Sequence, residues 1–203
     1  VGAGSQPYKH LLPEDVQYIT MEFDASRKPD FVASVLSLPI KRESVDGIIC
    51  TEVLEHVAEP ARALAEMNNA LKKDGLLYIT VPMTWGHHYE PHDYYRYTKH
   101  GLIWLLENAG FRFVEIRQVG GLFISMFARF QDVGMSLLYR LLYPLKLVVG
   151  NKNRIRVASL FAFPLILFFD LLFDVLDRIV PRAKEDALGW VVFCKKSTDG
   201  KKS

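Results

Sequence analysis

At 203 residues, 50% hydrophobic and 24% charged, the chain is long enough to bury one sizeable core and too apolar to be disordered. Thirteen glycines and ten prolines without a period exclude collagen-like and low-complexity structure, and two cysteines outside any metal-ligand spacing exclude a disulfide framework and point to a reducing compartment. The net charge of +2 averages two unlike parts: residues 1–120 carry 12 Lys+Arg against 16 Asp+Glu, and residues 121–203 carry 13 against 7.

The chain opens at Val1 inside VGAGSQPY, a strand end running into a tight turn, with a helix expected just after it. No charged stretch followed by an apolar one marks a signal peptide, and most of a first strand is expected to precede Val1. Gln17–Phe23 (QYITMEF) alternates like a strand and ends in acids. Asp30–Val35 is a short apolar run, and Asp46–Thr51 (DGIICT) reads as a buried strand. Pro60 suits the first turn of a helix, where its missing N–H costs nothing. Leu64, Met67 and Leu71 continue that helix, which Lys72, Lys73 and Gly75 are expected to end. Leu76–Val81 (LLYITV) is continuously apolar, as a parallel strand covered on both faces would be. Thr98 caps a helix whose Leu102, Leu105, Leu106 and Ala109 share a face and which Gly110 stops. Phe111–Val119 and Leu188–Lys195 complete the strands. Strands alternating with helices imply βαβ units in an α/β fold.

Gly2-Ala3-Gly4 lets the backbone turn tightly and approach a ligand closely. An acid at the end of the next strand, Glu22, lies about 20 residues on, the spacing that suits ribose hydroxyls. Together they indicate a nucleoside-containing ligand. The turn continues Ser5-Gln6-Pro7, without the third glycine of a dinucleotide fingerprint. This argues against a nicotinamide dehydrogenase or epimerase and favours a ligand without phosphate.

With these residues on view, the ordered set VGAGSQPY, YITMEF, LSLPIKRESVDGIICTEVLEHV, LKKDGLLYITVP and GLIWLLENAGF resembles the class I S-adenosylmethionine-dependent methyltransferases, the type 11 group most closely. The resemblance covers roughly residues 1–119 and 188–196. It implies a Rossmann-like seven-stranded sheet with an antiparallel last strand, here carrying a helical insertion before that strand. It also implies S-adenosyl-L-methionine as cofactor. By position, Gly2, Ala3 and Gly4 would face its methionine part, Glu22 its ribose and Phe23 its adenine. Ser34 stands where the family usually has an aspartate, with Val35 and Leu36 lining the same pocket. Thr51 and Glu52 would close the methyl-donor side.

Methyl transfer from a sulfonium needs positioning above all, and a general base only when the acceptor must lose a proton. His56, in EVLEHV, follows the fourth strand of the family and is the best-placed candidate base. The stretch WGHHYEPHDYYRYT, residues 85–98, follows the fifth and concentrates His87, His88, His92, Asp93 and Arg96 among tyrosines. Such loops sit at the carboxyl edge, where ligands bind in these sheets. His92 and Asp93 are expected to bind a hydroxyl acceptor or take its proton. His88 and His92 stand four apart beside Asp93, but Pro91 opposes the helix that would place both on one face, so no metal site is expected.

Residues 121–187 form the accessory part, residues 188–196 the final strand and residues 197–203 a frayed tail, leaving 1–120 as the cofactor-binding core. From Val157 to Phe169 only Ser159 is polar, a run of 13, short of the ~20 residues a spanning helix needs. Arg156, Ser159, Asp170, Asp174 and Asp177 fall along one helical stripe, and Pro164 is expected to kink the helix. Lys146, Lys152, Arg154 and Arg156 flank the run on one side, and Arg178, Arg182 and Lys184 on the other. Two readings stay open: a lid or dimer face, and a monotopic membrane patch. The sequence thus predicts a cytoplasmic enzyme, peripheral at the membrane in the second reading, that O-methylates a small or lipid-linked acceptor and binds no nucleic acid. A non-catalytic module on the same fold is the alternative.

Overall fold

The computed structural model describes residues 1–6, 8–142, 166–180 and 186–197. The readings at Pro7, Pro164, Ser159, the cations at 146–156 and 182–184, and most of the apolar run lie outside them. Ten regular elements are described: β1 (Met21–Glu22), β2 (Phe31–Val32), β3 (Val45–Thr51), α1 (Pro60–Ala70), β4 (Leu71–Pro82), α2 (Lys99–Asn108), β5 (Phe111–Val119), α3 (Leu122–Leu142), α4 (166–179) and β6 (Gly189–Lys196).

The chain divides into two compact units. The first comprises Val1–Met83, His87–Arg117 and Gly189–Ser203; the second comprises Thr84–Gly86 and Gln118–Leu188. In the first, β1 and β2 pair in parallel. A second sheet has the order β3-β4-β6-β5. β3 and β4 run parallel and β6 is antiparallel to β4, with Pro82 opposite Gly189 and Leu76 opposite Lys195. Val1 and Ala3 bridge the two sheets: Val1 N–H donates to Ile49 O at 2.9 Å and Ala3 N–H to Met21 O at 3.1 Å. Six strands among the described residues, the last antiparallel, make the Rossmann-like α/β arrangement expected from the sequence.

The elements form where their sequences favour them. Pro60 opens α1, and Ala63, Leu64, Met67 and Ala70 bury one face completely or nearly so. Thr98 caps α2 by accepting the Gly101 N–H at 3.1 Å; Leu102 and Leu106 are fully buried, and Gly110, at φ +84°, ends it. Burying two such leucines stabilises the unit by about 2–3 kcal/mol each.

Three expectations are corrected. No α-helix follows the glycine turn; a single 3₁₀ turn, Lys9–Leu11, stands there. Pro13, two residues on, disfavours helical geometry before it and cannot continue a helix. α1 stops at Ala70, one turn earlier than the lysines suggested, because Leu71 is already extended (ψ 138°) and buries itself as the first residue of β4. Residues 72–75 then detour: β3 and β4 pair at Val45–Leu71 and next at Gly47–Leu76. Finally, β4 is not equally covered on both faces. Leu77, Ile79 and Val81 are buried, whereas Leu76 is 47% exposed and Tyr78 lies edge-on to Phe193.

In the second unit, α3 and α4 meet through Phe123, Phe127, Phe169 and Phe173, with Phe127 and Phe173 5.0 Å apart. Asp177, read from the sequence as part of a polar stripe, is instead buried. Its carboxylate accepts the N–H groups of Phe123 and Ile124 at 2.9 and 3.2 Å, which caps the amino end of α3. Asp174 does face solvent and pairs with Arg178 at 2.6 Å.

Candidate functional site

The carboxyl ends of β1, β3 and β4 lead into the segments that carry the chemistry. A cavity of about 190 Å³ is lined by Gly2, Ala3 and Gly4 together with Tyr18, Ile49 and Thr51. Gly2 is required on two counts: its φ is +63°, and a Cβ there would sit 2.2 Å from Val53 Cγ2. Gly4, at φ +47°, faces open space instead.

Glu22 holds this turn in place. One carboxylate oxygen accepts the Gly4 N–H at 3.0 Å and the other accepts the Phe23 N–H at 2.8 Å. Each oxygen keeps a lone pair for a further donor, so a ligand diol could still donate to it. Phe23 is 77% exposed. Ser34 spends its hydroxyl on the chain, accepting the Leu36 N–H at 3.2 Å, and Ser34, Val35 and Leu36 stay half-buried outside the cavity lining. Glu52, at φ +51°, accepts the Thr80 hydroxyl at 2.7 Å. Of the sequence-derived cofactor set, therefore, Gly2, Ala3, Gly4 and Thr51 meet at the cavity and Glu22 braces it. Two tyrosines inside the quoted motifs, Tyr8 and Tyr18, also line it. Sequence reasoning passed over both, although their place inside those two motifs was a usable signal.

The second cluster sits on the 3₁₀ turn Leu54–His56 after β3 and on the loop after β4. Glu55 O accepts the N–H groups of both Tyr94 and Tyr95, at 2.9 and 3.2 Å, and Tyr97 Oη donates to Leu54 O at 2.9 Å. These bonds staple the loop to the turn. They leave the Glu55 side chain fully buried with neither oxygen hydrogen-bonded. Burial pushes its carboxyl up to about 8. Its Oε1 lies 3.7 Å from His56 Nε2 and 3.8 Å from His88 Nε2. His56 Nδ1 is 2.7 Å from His92 O, and the His56 and His88 rings meet edge to face at 4.7 Å.

Asp93 is in the opposite condition. Arg96 forks onto both of its oxygens at 2.6 and 2.8 Å, the His88 N–H donates to it at 3.0 Å, and His87 Nδ1 lies 3.4 Å away. The Arg96 hydrogen bonds hold its carboxyl well below the usual range. Asp93 thus anchors the loop through these bonds. His92 is exposed, its Nδ1 3.2 Å from Tyr94 Oη. The structure thus brings His56 and His92 together through one backbone contact. It also places Glu55, which the sequence reading did not single out, at the centre. An acid enclosed by Leu54 and Val57 straight after a buried strand was the signal available. Cys50 and Cys194 are buried free thiols, each pushed up to about 12 by burial, and take no part.

Residues 11–79 match the family described as a methyltransferase domain. No curated protein matches the chain. Among solved structures, the [4+2]-cyclase SpnF superposes with a TM-score of 0.58 at 16% identity, over 98% of this chain and 73% of that one. A SAM-dependent methyltransferase from Archaeoglobus fulgidus gives 0.58 at 13% identity, over 96% and 83%. The 1,6-didemethyltoxoflavin-N1-methyltransferase of Burkholderia thailandensis, solved with bound 1,6-didemethyltoxoflavin and S-adenosylhomocysteine, gives 0.55 at 16% identity, over 97% and 69%. The chain has the fold of these methyltransferases, and within it residues 11–79 match a methyltransferase domain. The fold alone does not name the reaction, since a cyclase shares it.

Proposed function

We propose that the chain binds S-adenosylmethionine at the glycine-turn cavity and transfers its methyl group to an oxygen of a small or lipid-linked acceptor. The observation that carries this reading is the glycine turn braced by Glu22, at the same sheet edge as a loop rich in histidine and tyrosine. The cofactor supplies an activated methyl group; the chain supplies binding and orientation. Glu22 accepts from the ribose hydroxyls, Phe23 lies on the adenine with Ser34, Val35 and Leu36 beyond it, and Thr51 and Glu52 border the methyl-donor side. Among solved relatives of this fold, the Burkholderia enzyme holds S-adenosylhomocysteine.

On the acceptor side, His56 and His92 face the substrate and Asp93 positions the loop through Arg96. His92→Ala should lower turnover at least about tenfold with S-adenosylhomocysteine affinity unchanged, because it lies apart from the cavity lining. Calorimetry with S-adenosylhomocysteine and NAD tests the cofactor. Binding of NAD alone, or of neither, would refute the reading.

The accessory helices suit a lipid-linked acceptor. Phe130, Val133, Phe168, Leu171 and Ile179 are each 59% exposed or more. No helix among the described residues is long and apolar enough to cross a membrane. Contact with a lipid surface is accordingly proposed as peripheral, by an enzyme of the cytoplasm, whose reducing conditions suit two free thiols.

A further inference from the structure

We propose that Glu55, His56 and His88 bind one divalent transition-metal ion, of the zinc, manganese or iron(II) class. The three residues each offer one ligand atom, and these atoms lie within 4.8 Å of one another.

The first argument is the buried carboxylate. Glu55 is 0% exposed, and neither oxygen has a hydrogen-bond partner. Both oxygens lack a hydrogen bond, a cost that burial imposes on the acid in either protonation state and that a bound cation would offset. The backbone gives it no way out, since Glu55 O is held by two N–H groups of the loop. The nearby guanidinium of Arg96 is forked onto Asp93.

The second argument is independent and concerns the orientation of His56. Its Nδ1 stands 2.7 Å from a backbone carbonyl, His92 O, which can only accept. With Nδ1 engaged there, Nε2 is the ring nitrogen directed at Glu55 Oε1, 3.7 Å away. That separation is too long for a hydrogen bond and leaves room for an ion between the two atoms. Anchoring the remote ring nitrogen on a backbone carbonyl is also how metal-ligating histidines are held.

The spacing fits such a centre. Oε1 is 3.7 and 3.8 Å from the two Nε2 atoms. A point about 2.4 Å from all three exists, and a contraction of a few tenths of an ångström reaches the ~2.0–2.2 Å of zinc–nitrogen and zinc–carboxylate bonds. Two imidazoles and one carboxylate select against calcium and magnesium, which take all-oxygen shells. The His56 and His88 side chains are 18% and 33% exposed, so the remaining coordination positions open toward solvent. Within the methyl-transfer reading, on which this last step rests, an acceptor hydroxyl bound there would lose its proton more readily. The site itself does not depend on that reading.

The test uses the full chain, without an affinity tag and stripped with chelator. Zn²⁺ is titrated calorimetrically, and Co²⁺ is followed by its visible absorption. One ion per chain is expected. Glu55→Gln and His88→Ala should each weaken it more than about tenfold, and His100→Ala, on α2, should leave it unchanged. If Glu55→Gln does not fold, His88→Ala on its loop decides the matter. Absence of stoichiometric binding, or binding indifferent to His88, overturns the proposal. All of these readouts are taken without S-adenosylmethionine. A chain that binds zinc through this trio but not S-adenosylhomocysteine keeps the site and loses the methyl-transfer reading; the reverse result removes the site alone.

Discussion

Asp177 offers the sharpest check on the accessory unit. Its carboxylate, 7% exposed as a residue, satisfies two amide groups at the start of α3. Asp177→Ala removes a charged acceptor and leaves both N–H groups unpaired. Replacing a capping acid by alanine costs about 0.5–2 kcal/mol, and the favourable charge at the helix terminus adds about 0.3–1 kcal/mol. A loss of about 2 kcal/mol is expected, lowering Tm by about 4–8 °C for a chain of this size. Hydrogen exchange gives the local readout: the Phe123 and Ile124 amides should lose protection while those of α2 keep theirs. Gly121 supplies a second handle, because a Cβ there would lie 2.5 Å from Asp177 Cγ. Gly121→Ala should therefore be destabilising by about 1–3 kcal/mol, and less so in the Asp177→Ala background. An Asp177→Ala protein with unchanged Tm and unchanged exchange at Phe123 and Ile124 would refute the capping role. Additive effects of the two substitutions would refute the close packing.

Gly4→Ala separates the cavity from the scaffold: its Cβ meets no protein atom, so stability should fall by only about 1–2 kcal/mol, the strain of φ +47°. Affinity for S-adenosylhomocysteine in calorimetry should fall by at least about tenfold, and unchanged affinity would remove the glycine turn from the site. Co-sedimentation with vesicles rich in anionic lipid should retain the chain at low salt and release it as salt rises. Phe130→Ser and Leu171→Ser should weaken retention; a chain that stays in the supernatant at low salt, or that self-associates through this face, argues for the lid or dimer reading instead.

Where local chemistry alone decides an element, the sequence foretold it. Thr98, the leucine spacing behind it and Gly110 gave α2 its start, buried face and stop. The apolar runs DGIICT, LLYITV and LGWVVFCK became β3, β4 and β6. Failures cluster where a tertiary contact overrides the local pattern. Leu71 continues the spacing of α1 but gains full burial by turning into β4. Asp177 sits on a stripe with Asp170 and Asp174, and no periodicity reveals that one of the three turns inward to cap another helix. The glycine turn and the acid that braces it were legible because a positive-φ turn and a strand-end acid call for residue types that little else requires. The roles inside the histidine loop were not, since they depend on which acid receives the arginine.

That last dependence unifies the second cluster. Glu55 and Asp93 are both acids with little or no exposure, and both touch the segment that carries His88. Asp93 has Arg96 three residues on, two strong hydrogen bonds from it, and a charge matched within its own loop. Glu55 lies between two imidazoles and receives no hydrogen bond. If Glu55 were there for stability alone, an apolar residue of similar volume would serve the turn better, as replacements of buried charges by apolar groups generally do. Glu55→Leu should then match or exceed the parent in thermal stability, measured after chelation, while abolishing Co²⁺ absorption. A fall in stability of the stripped protein would assign Glu55 a structural role in the turn; a gain accompanied by lost cobalt binding would show that the buried acid is retained for what it binds.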